Sequence, residues 1–198
     1  MTRSSTEAHA DQVDRHARTV GERRMVPAAR PRSSLTAGFR RNMLWGSRRF
    51  MQPLTAGITK AGTGIDGISW SILGQTYVPK HLAETSFSWH ATLPPGTFVP
   101  PHIHPTQDEQ IYLFEGRLDL VLDGREFVAT PGDLIRLPMQ VAHGIFNNSD
   151  QTVKCLFWVS PTRRLYDLFW AIHGMKEQTP PEVVALSAKH EVVFLPPA

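Results

Sequence analysis

A chain of 198 residues with a net charge of +3 has room for one domain with a proper hydrophobic core and some additional chain. Its single cysteine, Cys155, excludes an intramolecular disulfide framework, and no apolar run is long enough to span a bilayer. Charge is unevenly spread: residues 1–50 hold 11 Arg, no Lys and 4 acids, and the remainder holds 10 Lys/Arg against 14 acids, so the basic character belongs to the N-terminal segment.

That segment, residues 1–46, mixes Ser, Thr, Pro and scattered Arg without sustained periodicity, which predicts a disordered arm. It lacks the interleaved aromatics of a nucleic-acid surface, so no nucleic-acid partner is expected. Ser47-Arg48-Arg49-Phe50-Met51 faintly resembles a twin-arginine export signal, but the residues from Gln52 to Lys60 are too polar for its apolar region. Glu7, Asp11, Asp14 and Glu22 argue against an organellar transit peptide, and a cytoplasmic location without membrane contact is the expectation.

From about Ser69 the chain becomes β-rich. Gly62 to Gly67 is a glycine-rich loop too short and unpatterned to cradle a phosphate. Trp70 to Val78 and Phe87 to Leu93 read as strands, with His90 on the polar face beside Ser88, and Pro94-Pro95-Gly96 as a turn. Next comes Phe98-Val99-Pro100-Pro101-His102-Ile103-His104. Side chains two apart in a strand share a face, so His102 and His104 aim two imidazoles into one space. Glu109 opens the following run, Glu109-Gln110-Ile111-Tyr112-Leu113-Phe114-Glu115, and a hairpin return can bring its carboxylate there. Leu118 to Leu122, the turn Asp123-Gly124, and Arg125 to Ala129 form a hairpin. Pro131-Gly132-Asp133 turns the chain into Leu134 to Leu137; His143 to Asn147 and Thr152 to Ser160 complete the strands. Cys155 alternates with Leu156 and Phe157 and reads as a small buried apolar residue, not a nucleophile.

Short strands at this density predict an all-β sandwich or barrel. A C-terminal pair of short helices follows. Ser160-Pro161 has the form of an N-cap and first turn, Leu165, Leu168, Phe169 and Ile172 recur at helical spacing, and Gly174 can end that helix. Thr179-Pro180-Pro181-Glu182 has capping-box spacing for a second helix through Val183 and Leu186. The aromatics Tyr166, Phe169 and Trp170 point to packing against the barrel or a second subunit.

Two blocks stand out by spacing. The first runs Gly96, five residues, His102-Ile103-His104, four residues, Glu109, six residues, Gly116; the second runs Gly132, five residues, Pro138-Met139-Gln140, two residues, His143, three residues, Asn147. Together they resemble the paired motifs of the cupin superfamily, over roughly Ser69 to Phe169. Gln140 departs from the pattern, which usually has a turn glycine there. The resemblance implies a jelly-roll barrel with His102, His104, Glu109 and His143 as metal ligands. It also implies a barrel core of about 69–160 within a domain of 47–198, with the helical extension at 161–198. Three imidazoles and one carboxylate suit one divalent transition metal ion, Fe, Mn, Ni, Cu or Zn. Many cupins pair through sheet edges and terminal segments, which implies a homodimer.

Around such a metal the ligand-bearing strands are expected to supply apolar walls, Phe98, Ile111, Leu113, Met139 and Phe146, with no cationic clamp, suiting a small apolar or aromatic substrate. Glu109 is also the candidate catalytic base. Within cupins the run from Trp70 to Phe169 looks most like the quercetin dioxygenase-like single-domain bacterial group, which implies metal-dependent cleavage of an enol or hydroxyl substrate by O₂. The alternatives are a non-oxidative metal cupin (isomerase, lyase or decarboxylase) and a non-catalytic small-ligand-binding cupin.

Overall fold

The computed structural model describes residues 55–196, and the expectations for the arm at 1–46 and for Ser47–Met51 lie outside them. Eleven strands are ordered along the described chain: β1 (Trp70–Ile72), β2 (Gln75–Leu82), β3 (Phe87–Leu93), β4 (Phe98–Ile103), β5 (Asp108–Glu115), β6 (Leu118–Leu122), β7 (Arg125–Ala129), β8 (Leu134–Leu137), β9 (His143–Phe146), β10 (Val153–Ser160) and β11 (Val193–Phe194). Helices α1 (Leu165–His173) and α2 (Pro180–Ala188) lie between the last two. The strands form a six-stranded sheet, β1-β2-β3-β10-β5-β8, facing a five-stranded sheet, β11-β4-β9-β6-β7, with antiparallel pairing throughout. This is the all-β jelly-roll barrel with two short C-terminal helices. No helix among the described residues is long and apolar enough to cross a membrane.

Alternation builds the interior. Strand β3 buries Phe87, Trp89, Ala91 and Leu93 and leaves Ser88, His90 and Thr92 half-buried on the other face; β10 does the same with Val153, Cys155, Phe157 and Val159. The two register face to face, Trp89 opposite Phe157, with rings stacked at 5.1 Å and 10°. Cys155 is fully buried, and burial pushes its thiol well above the usual range, consistent with a packing role. Helix α1 docks on this aromatic cluster: Phe169 meets Trp89 edge-on at 4.9 Å, and Tyr166 meets Trp70 edge-on at 5.3 Å.

Two local expectations need correction. Trp70 to Val78 is two strands, not one. Leu73 (φ 48°) and Gly74 (φ 81°) form a two-residue hairpin turn between them, although leucine is not a residue that signals such a turn. Asp123 (φ 50°) and Gly124 (φ 74°) make the same turn from the residues that do signal it. Helix α1 begins at Leu165, with Arg164 at its N-cap, because Ser160 is still the last residue of β10 and Thr162 is held by the β2–β3 turn.

The motif glycines have a physical role, as Gly116 shows: at φ 85°, a Cβ there would come within 2.8 Å of Val153 Cγ2. Gln140 occupies its turn at φ 67°, the left-handed region, and its N–H donates to the His104 carbonyl at 2.9 Å. The loop therefore keeps a geometry that favours glycine, at the steric cost of a Cβ. Exposed and making only this backbone contact, Gln140→Gly should stabilise the protein by about 0.5–1 kcal/mol, the relief of strain exceeding the added chain entropy of glycine. Thermal melts of the two proteins would register this as a higher midpoint for the variant.

Candidate metal centre

His102 lies on β4 opposite His143 on β9, both in the five-stranded sheet. Glu109 lies on β5 in the six-stranded sheet, flanked by Leu137 and Val159. His104 follows the end of β4. The two sheets thus present these side chains to one another across the barrel interior. All four are buried, at 1–4% exposure, and their ligand atoms lie within 4.8 Å of one another. Among the described residues this is the group of His, Cys, Asp and Glu side chains arranged to hold a metal ion.

Each imidazole is turned by its Nδ1. His102 Nδ1–H donates to the Pro100 carbonyl at 2.8 Å, and His143 Nδ1–H to the Val141 carbonyl at 2.9 Å. A carbonyl oxygen only accepts, so both rings carry a proton on Nδ1 and turn Nε2 inward. His104 Nδ1 lies 3.1 Å from Gln107 Oε1. The Nε2 atoms then converge: His102 to His104 at 3.2 Å, His143 to Glu109 Oε2 at 3.1 Å, and His104 to the same oxygen at 3.8 Å. Metal–nitrogen bonds of about 2.1 Å place neighbouring ligand nitrogens about 3.0 Å apart at a right angle and about 3.4 Å at a tetrahedral one. The donor set and its spacing therefore fit a divalent transition metal.

Electrostatics agree. Burial, reinforced by the neighbouring imidazoles, holds His102 down at about 3, and burial likewise lowers His104 against the pull of Glu109, so both rings stay neutral. Burial alone would raise Glu109, but the His143 hydrogen bond and the three imidazoles bring its carboxyl to about 2. For His143, burial works to lower the value, and the Glu109 carboxylate more than offsets it, leaving the ring above 6.5. The His143–Glu109 contact at 3.1 Å thus favours a proton on His143 and none on Glu109.

A cavity opens beside the cluster. Tyr77, Trp89, Val99, Ile145 and Phe157 supply its barrel wall; Leu165, Leu168 and Phe169 of α1, with Val183 and Ser187 of α2 and Phe194 of β11, roof it. The expected apolar walls are therefore displaced. Phe98 is half exposed and Val99 faces inward instead, because β4 carries an irregularity between Val99 and His102 that reverses the alternation. Phe146 is three residues from His143 and falls on the opposite face, so Ile145 lines the cavity. Met139 sits in the exposed turn after β8. Ile111 and Leu113 do share the face of Glu109, but they are wholly buried in the core and do not reach the cavity.

Sequence reasoning missed two groups. The roof comes from the C-terminal extension, whose helical spacing was visible but whose docking position was not. Gln107 is fully buried within the first motif and was hidden because its other partners, the carbonyls of Pro161 and Thr162, are far along the chain.

Residues 89–159 match the family described as Cupin domain. A region of 79 residues is 32% identical to "Polyketide synthase CurC" of Streptomyces cyaneus, covering 40% of this chain and 51% of that protein. A region of 84 residues is 31% identical to "Tetracenomycin polyketide synthase protein TcmJ" of Streptomyces glaucescens, covering 42% of this chain and 56% of that protein. The chain thus spans about half the length of these curated relatives. An RmlC-like cupin from Shewanella frigidimarina shares the fold with a TM-score of 0.50 at 18% identity, over 57% of this chain and 96% of its own.

Two outcomes follow for the purified protein. His104→Ala should lose stoichiometric metal by elemental mass spectrometry where the wild type retains it. Because His143 must surrender a proton before it can bind metal, metal affinity should fall as pH drops below that residue's raised pKa, about tenfold per pH unit. Glu109, ionised down to about 2, should add nothing to this slope. A competitive zinc titration between pH 5 and 9 measures it.

Proposed function

Taking the cupin superfamily assignment that the domain match and the fold support, we propose that this protein is a metal-dependent enzyme. Its substrate is a small apolar, aromatic and enolisable molecule of the polyketide kind, and the reaction is dioxygenation by O₂ of the quercetinase-like type. The observation that carries this reading is the cavity itself. A three-histidine, one-glutamate cluster opens onto aromatic and aliphatic walls, and the lining holds no Lys, Arg or Asp. Such a space favours a neutral, flat, apolar molecule and offers no clamp for phosphates or oxalate-like anions.

When bound, a divalent metal would supply Lewis acidity toward a substrate oxygen and, if redox-active, O₂ chemistry. The chain's own residues set the rest. Glu109 is the sole carboxylate of the lining and stays ionised, so it can take the proton of a substrate hydroxyl and leave an enolate. Tyr77 stays protonated, because burial pushes its phenol far up; its O–H donates to Gln75 Oε1 at 3.0 Å, and Gln75 Nε2–H donates to the Phe98 carbonyl at 3.1 Å. This leaves the phenol oxygen's lone pairs to accept from a substrate hydroxyl. The roof keeps bulk water from the enolate. Dioxygenation places both atoms of O₂ in the product, with C–C cleavage of the ring.

A second reading is favoured by the curated relatives, both named as polyketide synthase proteins. Chains rich in 1,3-dicarbonyls enolise readily, and the same base and Lewis acid would then promote ring closure or isomerisation without O₂. Oxygen-electrode and product measurements on metal-loaded protein, with flavonols and aryl 1,3-diketones as probes, separate the two. Stoichiometric O₂ uptake supports dioxygenation, and product formed equally under anaerobic conditions supports the non-oxidative reaction. No product under either condition overturns the enzymatic reading. Glu109→Gln should lower turnover by about 10²–10⁴-fold while metal content changes far less; a parallel loss of both would show that Glu109 only binds metal.

A further inference from the structure

Gln107 stands behind the metal cluster, fully buried, and the cupin match gives it no task. Its primary amide has two N–H donors and one carbonyl. Nε2 donates to the Pro161 carbonyl at 2.9 Å and to the Thr162 carbonyl at 2.8 Å, while Oε1 faces His104 Nδ1 at 3.1 Å. The two backbone carbonyls accept only, so the amide has one tenable orientation. Flipped, its oxygen would face two carbonyl oxygens and both hydrogen bonds would be lost in a dry site. With Oε1 so placed, His104 Nδ1 must be the donor and Nε2 the free lone pair.

This differs from the other two histidines. His102 and His143 are turned by carbonyls two residues upstream in the chain, Pro100 within β4 and Val141 just before β9. His104 alone takes its orientation from a remote segment, the junction where β10 passes into α1. That junction is itself pinned: Thr162 N–H donates to the Glu84 carbonyl at 3.1 Å, its hydroxyl donates to the Ala83 carbonyl, and Leu165 N–H donates back to the Thr162 carbonyl at 3.3 Å. Three residues on begins the helix whose Leu165, Leu168 and Phe169 roof the cavity.

We propose that Gln107 is a positioning residue that sets His104 as an Nε2 donor and couples the metal centre to the helical roof of the cavity. The proposal rests on the metal-centre reading and extends it to a sequence of events: metal first, which holds His104 and through Gln107 steadies Pro161–Thr162, then substrate under a settled roof. Coupling of this kind is reciprocal, so loosening the junction must also weaken metal binding.

The test uses the full chain, cobalt(II) as the metal probe, and Gln107→Leu and Gln107→Glu. In metal-free wild type, long-range proton–nitrogen NMR of the imidazoles should show His104 protonated on Nδ1 alone. Gln107→Leu should show both tautomers and bind cobalt about 10–100-fold more weakly. Gln107→Glu keeps an acceptor for His104 and loses the donors to Pro161 and Thr162, so it should lose less cobalt affinity than Gln107→Leu. Hydrogen exchange supplies the roof readout: cobalt should slow the amides of residues 162–169 in wild type and fail to do so in either variant. A single Nδ1–H tautomer in Gln107→Leu with unchanged cobalt affinity would overturn the positioning role. Roof amides indifferent to cobalt in wild type would overturn the coupling, and that measurement needs no variant should either fail to fold. A wild type that takes up no cobalt would overturn the metal centre and the coupling together, while the tautomer result on metal-free protein would stand independently.

Discussion

Three Nδ1–H donors bound to fixed oxygen acceptors are the constraint on which the site depends. Once Pro100, Val141 and Gln107 have taken those protons, the three Nε2 lone pairs have nowhere to point but at one another and at Glu109. Lone pairs 3.2 Å apart in a dry interior repel unless something positive lies between them. A divalent cation answers that need, because it satisfies all four ligands at once. The barrel serves this arrangement by holding β4 and β9 of one sheet opposite β5 of the other, with the stacked Trp89 and Phe157 filling the interior alongside.

How much of this was legible in the chain depends on how local the determining interaction is. His102, His104 and Glu109 are near enough in the chain for strand alternation and one return to suggest their meeting, whereas His143, beyond β6, β7 and β8, was legible only through the resemblance of the two spaced blocks to the cupin motifs. The walls were not legible. A single irregularity in β4 moves Phe98 out and Val99 in, and no residue in Phe98-Val99-Pro100-Pro101 announces where the alternation breaks. Phe146 failed for a simpler reason: it sits an odd number of residues from His143, and Ile145 was the residue to choose. Turns divide the same way. Asp123-Gly124 declares itself by chemistry, whereas Leu73-Gly74 hides a left-handed leucine inside what reads as one continuous strand. Gln107 carried no signal at all, since its meaning lies in carbonyls contributed after β10.

The division of labour between barrel and extension bears on what relatives can reveal. The segment matching the cupin family, residues 89–159, contains all four metal-centre residues and Gln107. It ends before Leu165, Leu168, Phe169, Val183 and Phe194, the side chains that roof the cavity, and begins after Tyr77 and Gln75. A metal centre gathered within one β-framework can be shared widely, because its geometry is set by backbone carbonyls and one glutamine. The shape of the cavity is set jointly by that framework, through Trp89, Val99, Ile145 and Phe157, and by the roofing residues outside it. Under the proposed function, the roof from α1, α2 and β11 is the part of the cavity that can vary without touching the four clustered side chains, and replacing Phe169 or Val183 should change which molecule is accepted while leaving metal binding in place.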